Sequence, residues 1–208
     1  MTATQPTTER RSSTSKQILA AARRVLLESG FAAMSTRKVA DLAEVPLSQI
    51  HYHFRSKEQL ILAMLREENE SLVRRQSDMF ALDISLSERW NLACDYLDAD
   101  IESGYVRVLQ EMMAAGWSSP DVREAVNVLG KAWTDLLTDV VERARAAGAR
   151  FGPFPSSEIV ALVAGAFLGA ESMLLLGREN DALPIRSALR RVGEAIALVE
   201  KPVVEQEP

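Results

Sequence analysis

Between residues 47 and 57 the chain gathers side chains that can hydrogen-bond, stack or carry charge: Leu47, Ser48, Gln49, His51, Tyr52, His53 and Lys57. An amide such as Gln49 can pair bidentately with the edge of an adenine, and Leu47 can meet a thymine methyl. Ser48 is small enough to let a helix come close. Just upstream, Thr36 can offer a hydroxyl and a helix-end amide to a phosphate oxygen. Arg37, Lys38 and Lys57 supply positive charge beside it. The bland alternative for Gln49 is a solvated helix residue. Taken together, the set is suited to gripping a duplex rather than to breaking bonds. His51 and His53 are the two histidines of the chain. Two apart on a helix, they point in different directions. Cys94 is the single cysteine, so neither a tetrahedral metal set nor an intrachain disulfide can be assembled. Nor is there a histidine left over to activate Cys94 as a nucleophile, or a glycine-rich phosphate loop. No enzyme, metal or other cofactor is expected.

Those side chains need two short helices to hold them. Ser35 can cap the first, Thr36–Ala43, whose Val39, Leu42 and Ala43 form an apolar face. Glu44-Val45-Pro46 interrupts it, and Pro46, lacking an amide hydrogen, can close one helix and open the next. The second helix, Leu47–Phe54, turns Ile50 and Phe54 inward as core and its polar and aromatic groups outward. Two such helices across a three-residue turn form the pattern of a helix-turn-helix.

At this point the sequence resembles the TetR-type bacterial repressors. The run Ile50-His51-Tyr52-His53-Phe54, followed by Ser56-Lys57-Glu58 and Leu60, is similar to that family's Leu-Tyr-Tyr-His-Phe, Ser-Lys-Glu and Leu signature. Val39-Ala40 and Gly30-Phe31 stand at matching spacings, and the resemblance spans about Ile18 to Leu65. It implies an all-α protein with an N-terminal DNA-binding domain, residues 1–57, and a larger ligand-binding and dimerisation domain, 58–208. It also implies that Tyr52 and His53 contact phosphates. Two departures are visible. The family usually has glycine where Glu44 stands, and it commonly opens the reading helix with Ser-Lys or Ser-Arg where this chain has Pro46-Leu47.

Charge supports a division of labour. The net charge is −5, yet residues 1–57 hold nine Lys/Arg against four Asp/Glu, leaving fifteen against twenty-five for the remainder. A basic front on an acidic chain suits a phosphate-binding module, although a chance imbalance gives the same count. Residues 1–13 are polar and aperiodic, a stretch expected to be disordered in isolation. Arg10 and Arg11 there could enter a minor groove or simply be solvated. No apolar signal segment opens the chain, so a cytoplasmic location is expected.

About nine helices and no strands are expected. The first runs from Thr14 to Ser29, with Thr14 and Gln17 at capping-box spacing and Gly30 as its stop. A fourth begins at Ser56, with Gln59 completing another box, and reaches Met79. A fifth, Glu88–Glu102, is capped by Ser87. Tyr105–Ala115 follows, then a helix from Pro120 to Ala147, then Ser157–Leu176 and Pro184–Val199. The tail KPVVEQEP should fray.

Methionines and aromatics can line an adaptable apolar cavity. The candidates are Trp90, Cys94, Leu97, Ile101 and Tyr105, then Met112, Met113 and Trp117, and further on Trp133, Leu137 and Phe167. Ordinary core is the competing reading for each. Glu171 interrupts the run IVALVAGAFLGA, and a carboxylate buried there needs a partner. That apolar run of about a dozen residues falls short of the ~20 a membrane span requires. Its Ala161, Gly165 and Gly169 recur at four-residue steps and would permit close contact with the same helix of a second copy, or with the last helix of its own chain. The expected function is a homodimeric, ligand-responsive repressor, released from a pseudo-palindromic double-stranded DNA operator by a small-molecule inducer. The alternative is a DNA-organising or partner-recruiting protein without an inducer.

Overall fold

The computed structural model describes residues 5–200. The side chains of Arg10 and Arg11, and the tail 201–208, lie outside the described residues. Among those described, the chain forms nine helices and no strand. They are α1 Gln5–Ala33, α2 Thr36–Leu42, α3 Leu47–Phe54, α4 Lys57–Phe80 and α5 Leu86–Ser103, followed by α6 Tyr105–Gly116, α7 Pro120–Ala146, α8 Ser156–Leu175 and α9 Ile185–Glu200. A lone bridge joins Asn180 to Leu183 between the last two. The all-α expectation holds.

Two boundaries differ from the sequence reading. Helix α1 starts at Gln5, so the stretch expected to be disordered is helical from there on, and Thr14 sits inside the helix. Pro6 falls in the first turn, where its missing amide costs nothing, and no glycine or proline follows until Gly30. Helix α5 is capped by Ser85, two residues earlier than expected. The Ser85 hydroxyl accepts from the Glu88 amide at 3.1 Å, and the Glu88 carboxylate accepts from the Ser85 amide at 2.9 Å, a complete capping box. The Ser85 hydroxyl also donates to the Glu88 carboxylate at 2.7 Å, and this bond together with the one from the Ser85 amide holds the Glu88 carboxyl below its ordinary pKa. The stops fall where expected: Gly30 leaves helical geometry at φ 73°, and Gly104 ends α5 at φ 82°.

The chain divides into two compact units, Met1–Glu70 with Val108–Asn127, and Ser71–Arg107 with Val128–Pro208. The division falls within α4, α6 and α7 rather than at residue 57. In the first unit Ile18, Ala22, Val25 and Leu26 of α1 are buried, as are Val39 and Ala40 of α2. Ile50 and Phe54 of α3 and Leu60, Ile61, Met64 and Leu65 of α4 are buried too. The α4 set recurs at three- and four-residue steps, the spacing of one helix face. That burial extends the unit past residue 57.

In the second unit α5 packs along α9, and α8 packs against both. Gly193 makes the α5–α9 approach possible. A Cβ placed there would lie 3.1 Å from Asn91 Oδ1 and 3.2 Å from Trp90 Cδ1. The Trp90 indole donates to the Leu189 carbonyl at 2.6 Å. The Glu200 carboxylate accepts from the Leu86 and Ser87 amides, satisfying donors that the start of α5 would otherwise leave open.

The turn between α2 and α3 is where sequence and conformation are at odds. Glu44 adopts φ 52°, a left-handed backbone that costs a residue with a Cβ about 1–2 kcal/mol. Glycine removes that cost but loses about 0.5–1 kcal/mol in chain entropy. Glu44→Gly should therefore be as stable as the parent or up to about 1.5 kcal/mol more stable, whereas β-branched Glu44→Val should be less stable. Urea unfolding followed by circular dichroism reads both.

Candidate nucleic-acid interface

Helix α3 is set by what it buries. Ile50 is fully buried and Phe54 nearly so, which leaves Ser48, His51 and Tyr52 exposed on the opposite side and Leu47, Gln49 and His53 half-buried at its margins. Tyr52 is 62% exposed, and its ring meets His53 edge-on at 5.2 Å. Ahead of it, Pro46 sits at the N-cap with φ −58°, the angle its ring enforces. Behind α2, the Gln17 side-chain amide donates to the Ala43 carbonyl at 2.8 Å. Gln17 was expected to cap its own helix. Because α1 runs on through that position, its side chain instead reaches 26 residues along the chain and fastens the turn that aims α3.

Thr36, Arg37 and Lys38 open α2. Ser35 caps it as expected, accepting from the Lys38 amide at 3.2 Å. Arg37 and Lys38 are exposed and Thr36 is half-buried. The two lysines are more occupied than the sequence suggests. Lys38 Nζ donates to the Ala33 carbonyl at 3.1 Å. Lys57 Nζ donates to the Phe31 carbonyl at 3.1 Å and stands 4.2 Å from the centre of the Phe31 ring. Lys57 is half-buried, and an ammonium there needs acceptors, which the Phe31 carbonyl and ring supply.

Phe31 is also held from its other side. Its amide donates to the Glu111 carboxylate of α6 at 2.6 Å. This charge-assisted bond joins residues 80 apart and binds the segment Val108–Asn127 to α1 within the first unit. No sequence pattern pointed to Glu111, because a lone glutamate on an amphipathic helix is indistinguishable from a solvated one.

Of the candidate pocket residues, Trp90, Cys94, Leu97, Ile101, Trp133 and Phe167 converge in one cluster of the second unit. The Trp90 and Trp133 rings each meet Phe167 edge-on, at 5.3 and 6.2 Å. Leu137 belongs to a neighbouring cluster with Met79, Phe80 and Val160. Tyr105 is buried in the same unit. Met112, Met113 and Trp117 do not join them. They fall in the first unit, and Trp117 is 83% exposed, since the loop Trp117–Ser119 turns outward between α6 and α7. Glu171 is half-buried.

Sequence reasoning missed the polar groups beside this cluster. Arg75 Nη2 donates to both carboxylate oxygens of Asp100 at 2.7 Å, and the guanidinium lies 4.5 Å from the Tyr96 ring centre. Burial raises the Asp100 carboxyl above its ordinary pKa, with Arg75 opposing. The Trp133 indole donates to Gln76 Oε1 at 2.6 Å. The two partners of the ion pair are 25 residues apart in unrelated helices, so no motif announces them. Burial also pushes the Cys94 thiol up to about 11, which leaves it a packed sulfur rather than a nucleophile.

Ala161 and Gly165 are exposed and Gly169 is half-buried. A Cβ at either glycine would meet nothing within 4 Å, so neither packs closely against α9. Leu162 of α8, Leu176 just after it, and Val192 and Leu198 of α9 are exposed as well. At twenty residues α8 is long and apolar enough, by length and composition, to cross a membrane, longer than the run IVALVAGAFLGA suggested. The added turns come from Ser156–Glu158 before the run and Glu171–Leu175 after it.

Residues 18–64 match the profile of the bacterial regulatory proteins, tetR family. Over 131 residues the chain is 28% identical to the HTH-type transcriptional activator FasR of Mycolicibacterium smegmatis, a match covering 61% of this chain and 58% of FasR. Its fold is similar to that of FadR from Bacillus subtilis in complex with stearoyl-CoA, with 15% identity and a TM-score of 0.72 over 86% of this chain and 96% of that one. It is also similar to reduced NemR from E. coli, with 20% identity and a TM-score of 0.69 over 88% and 96%.

Two outcomes follow from the geometry. Lys57→Met should cost about 1–2 kcal/mol, the combined loss of one hydrogen bond and one cation–π contact, read by urea unfolding. Cys94 should resist iodoacetamide at pH 8 in the native protein and react only as fast as the fold opens, followed by mass spectrometry in a urea series.

Proposed function

We propose that this chain, whose residues 18–64 match the bacterial regulatory proteins of the tetR family, is a member of that family and a homodimeric, ligand-responsive DNA-binding repressor acting in the cytoplasm. The observation that carries this reading is the outer face of α3, where Ser48, Gln49, His51 and Tyr52 stand opposite the buried Ile50 and Phe54. In this proposal α3 enters a major groove. Gln49 reads a base edge, while Tyr52, His53, Thr36 and Arg37 touch the backbone on either side.

A second copy is the proposed cover for the apolar faces of α8 and α9. Leu162, Leu176, Val192 and Leu198 are exposed there, and the open Gly165 and Gly169 admit a closely crossing helix. Two heads would then address half-sites about 34–36 Å apart. The ligand is placed beside Trp90, Trp133 and Phe167, whose rings and apolar neighbours suit a molecule with a hydrocarbon body. That the similarly folded FadR holds stearoyl-CoA supports an acyl chain as such a body. Ligand binding would alter the separation of the two heads, so the ligand must favour the released arrangement to have an effect. FasR carries the name of an activator. Repression is the outcome proposed where the operator overlaps a promoter.

Selection of bound fragments from random duplex DNA by the purified chain should return a pseudo-palindrome. The same selection with Gln49→Ala should lose preference at one base pair per half-site, by about 1–3 kcal/mol, while binding elsewhere is retained. Enrichment of no sequence, or an identical motif from both proteins, would sink the assignment.

A further inference from the structure

The two residues other than glycine that take positive φ among those described are Glu44 and Arg55, and they bracket α3 on both sides. Arg55 is the more unusual. At φ 65° and ψ −51° it is the centre of a γ-turn closed by the Ser56 amide on the Phe54 carbonyl at 2.7 Å, while its own amide caps α3 on His51 at 3.1 Å. This turn is rare and strained for any residue with a Cβ. Both bonds are made by the backbone, so glycine would serve the fold better. The side chain kept at that position is exposed and basic, and among the described residues no carboxylate pairs with it. By contrast, the neighbouring lysines each give a bond to a carbonyl of the α1 end, Lys38 to Ala33 and Lys57 to Phe31.

We propose that Arg55 is a DNA-phosphate contact, presented from a strained corner just past the reading helix and kept at the expense of the fold. This rests on the reading of α3 as a groove-entering helix. With α3 in the major groove, the residue that follows its last turn comes to the groove wall, where a guanidinium can bind a phosphate through two N–H donors. Backbone strain then has a role: it turns the chain sharply into α4 while leaving the long side chain outside.

The test uses the full chain, nonspecific duplex DNA over a salt series, and thermal unfolding of the same samples. Measurable salt-dependent binding by the parent protein is required by the DNA reading itself, so its absence would refute that reading rather than this assignment alone. Given such binding, Arg55→Gln should reduce the slope of log affinity against log salt by about 0.9 per head, and Arg55→Lys should restore it. Arg55→Gly should lose the same slope while its melting temperature rises by roughly 2 °C, because the left-handed cost is removed. An unchanged slope in Arg55→Gln overturns the assignment, as does a loss that lysine fails to restore. A fall in melting temperature for Arg55→Gly overturns it as well, because the arginine would then be kept for the fold.

Discussion

Helix α3 has eight residues, and a helix of that length cannot hold itself in water. Its existence and direction are imposed from outside. Ile50 and Phe54 are drawn into the core beneath it, Pro46 fixes the angle at which it starts, and a γ-turn at Arg55 fixes the angle at which the chain leaves. The turn that precedes it is held by Gln17, whose amide reaches the Ala43 carbonyl. Release of any of these would let the outward side chains wander. The outer face of α3 can therefore afford to be almost wholly polar, because none of its residues has to contribute to the fold.

The same unit is closed by the peptide of Phe31. Its amide is bound by the Glu111 carboxylate, its carbonyl by the Lys57 ammonium, and its ring lies under that same cation. Gly30, with φ 73°, makes the bend that exposes both polar groups of the next residue. A helix end usually leaves such groups to water. Here they recruit two charged side chains from α4 and α6, which is why the compact unit includes Val108–Asn127 and not the N-terminal residues alone.

The second unit follows a different logic. Its interior is apolar and aromatic, yet it contains an ion pair, Arg75–Asp100, and an indole–amide bond, Trp133–Gln76. A charge removed from water needs its partner in place, and Asp100 has one in Arg75, whose guanidinium also lies over the Tyr96 ring. Along α9, Arg186 pairs with Asp98 and Glu179, and Arg190 with Asp95, so the α5–α9 contact is lined by charge at its rim and by Trp90 and Gly193 at its centre. Helix α8 has little polar surface in any direction. Phe167 and Ala170 face its own unit, while Leu162 and the glycines do not.

Sequence alone determined what depends on local spacing. The helical class, the stops at Gly30 and Gly104, the cap at Ser35, the Pro46 break, the inward Ile50 and Phe54, and the TetR-like signature are all fixed by residues within a turn or two of one another. It missed the cap of α5, where Ser85 and Ser87 compete and local rules do not rank them, and the start of α1, where no glycine or proline interrupts the chain between Pro6 and Gly30. Tertiary structure decided the rest, through contacts between residues 25 to 114 apart that no short pattern encodes. Lys57 was occupied by Phe31 because the chain folded back on itself there. Trp117 went outward, and Met112 and Met113 joined the first unit, because helical periodicity identifies an apolar face without saying which core receives it. Spacing shows that a residue is on a helix and which way it faces. Only the packed chain shows what it meets.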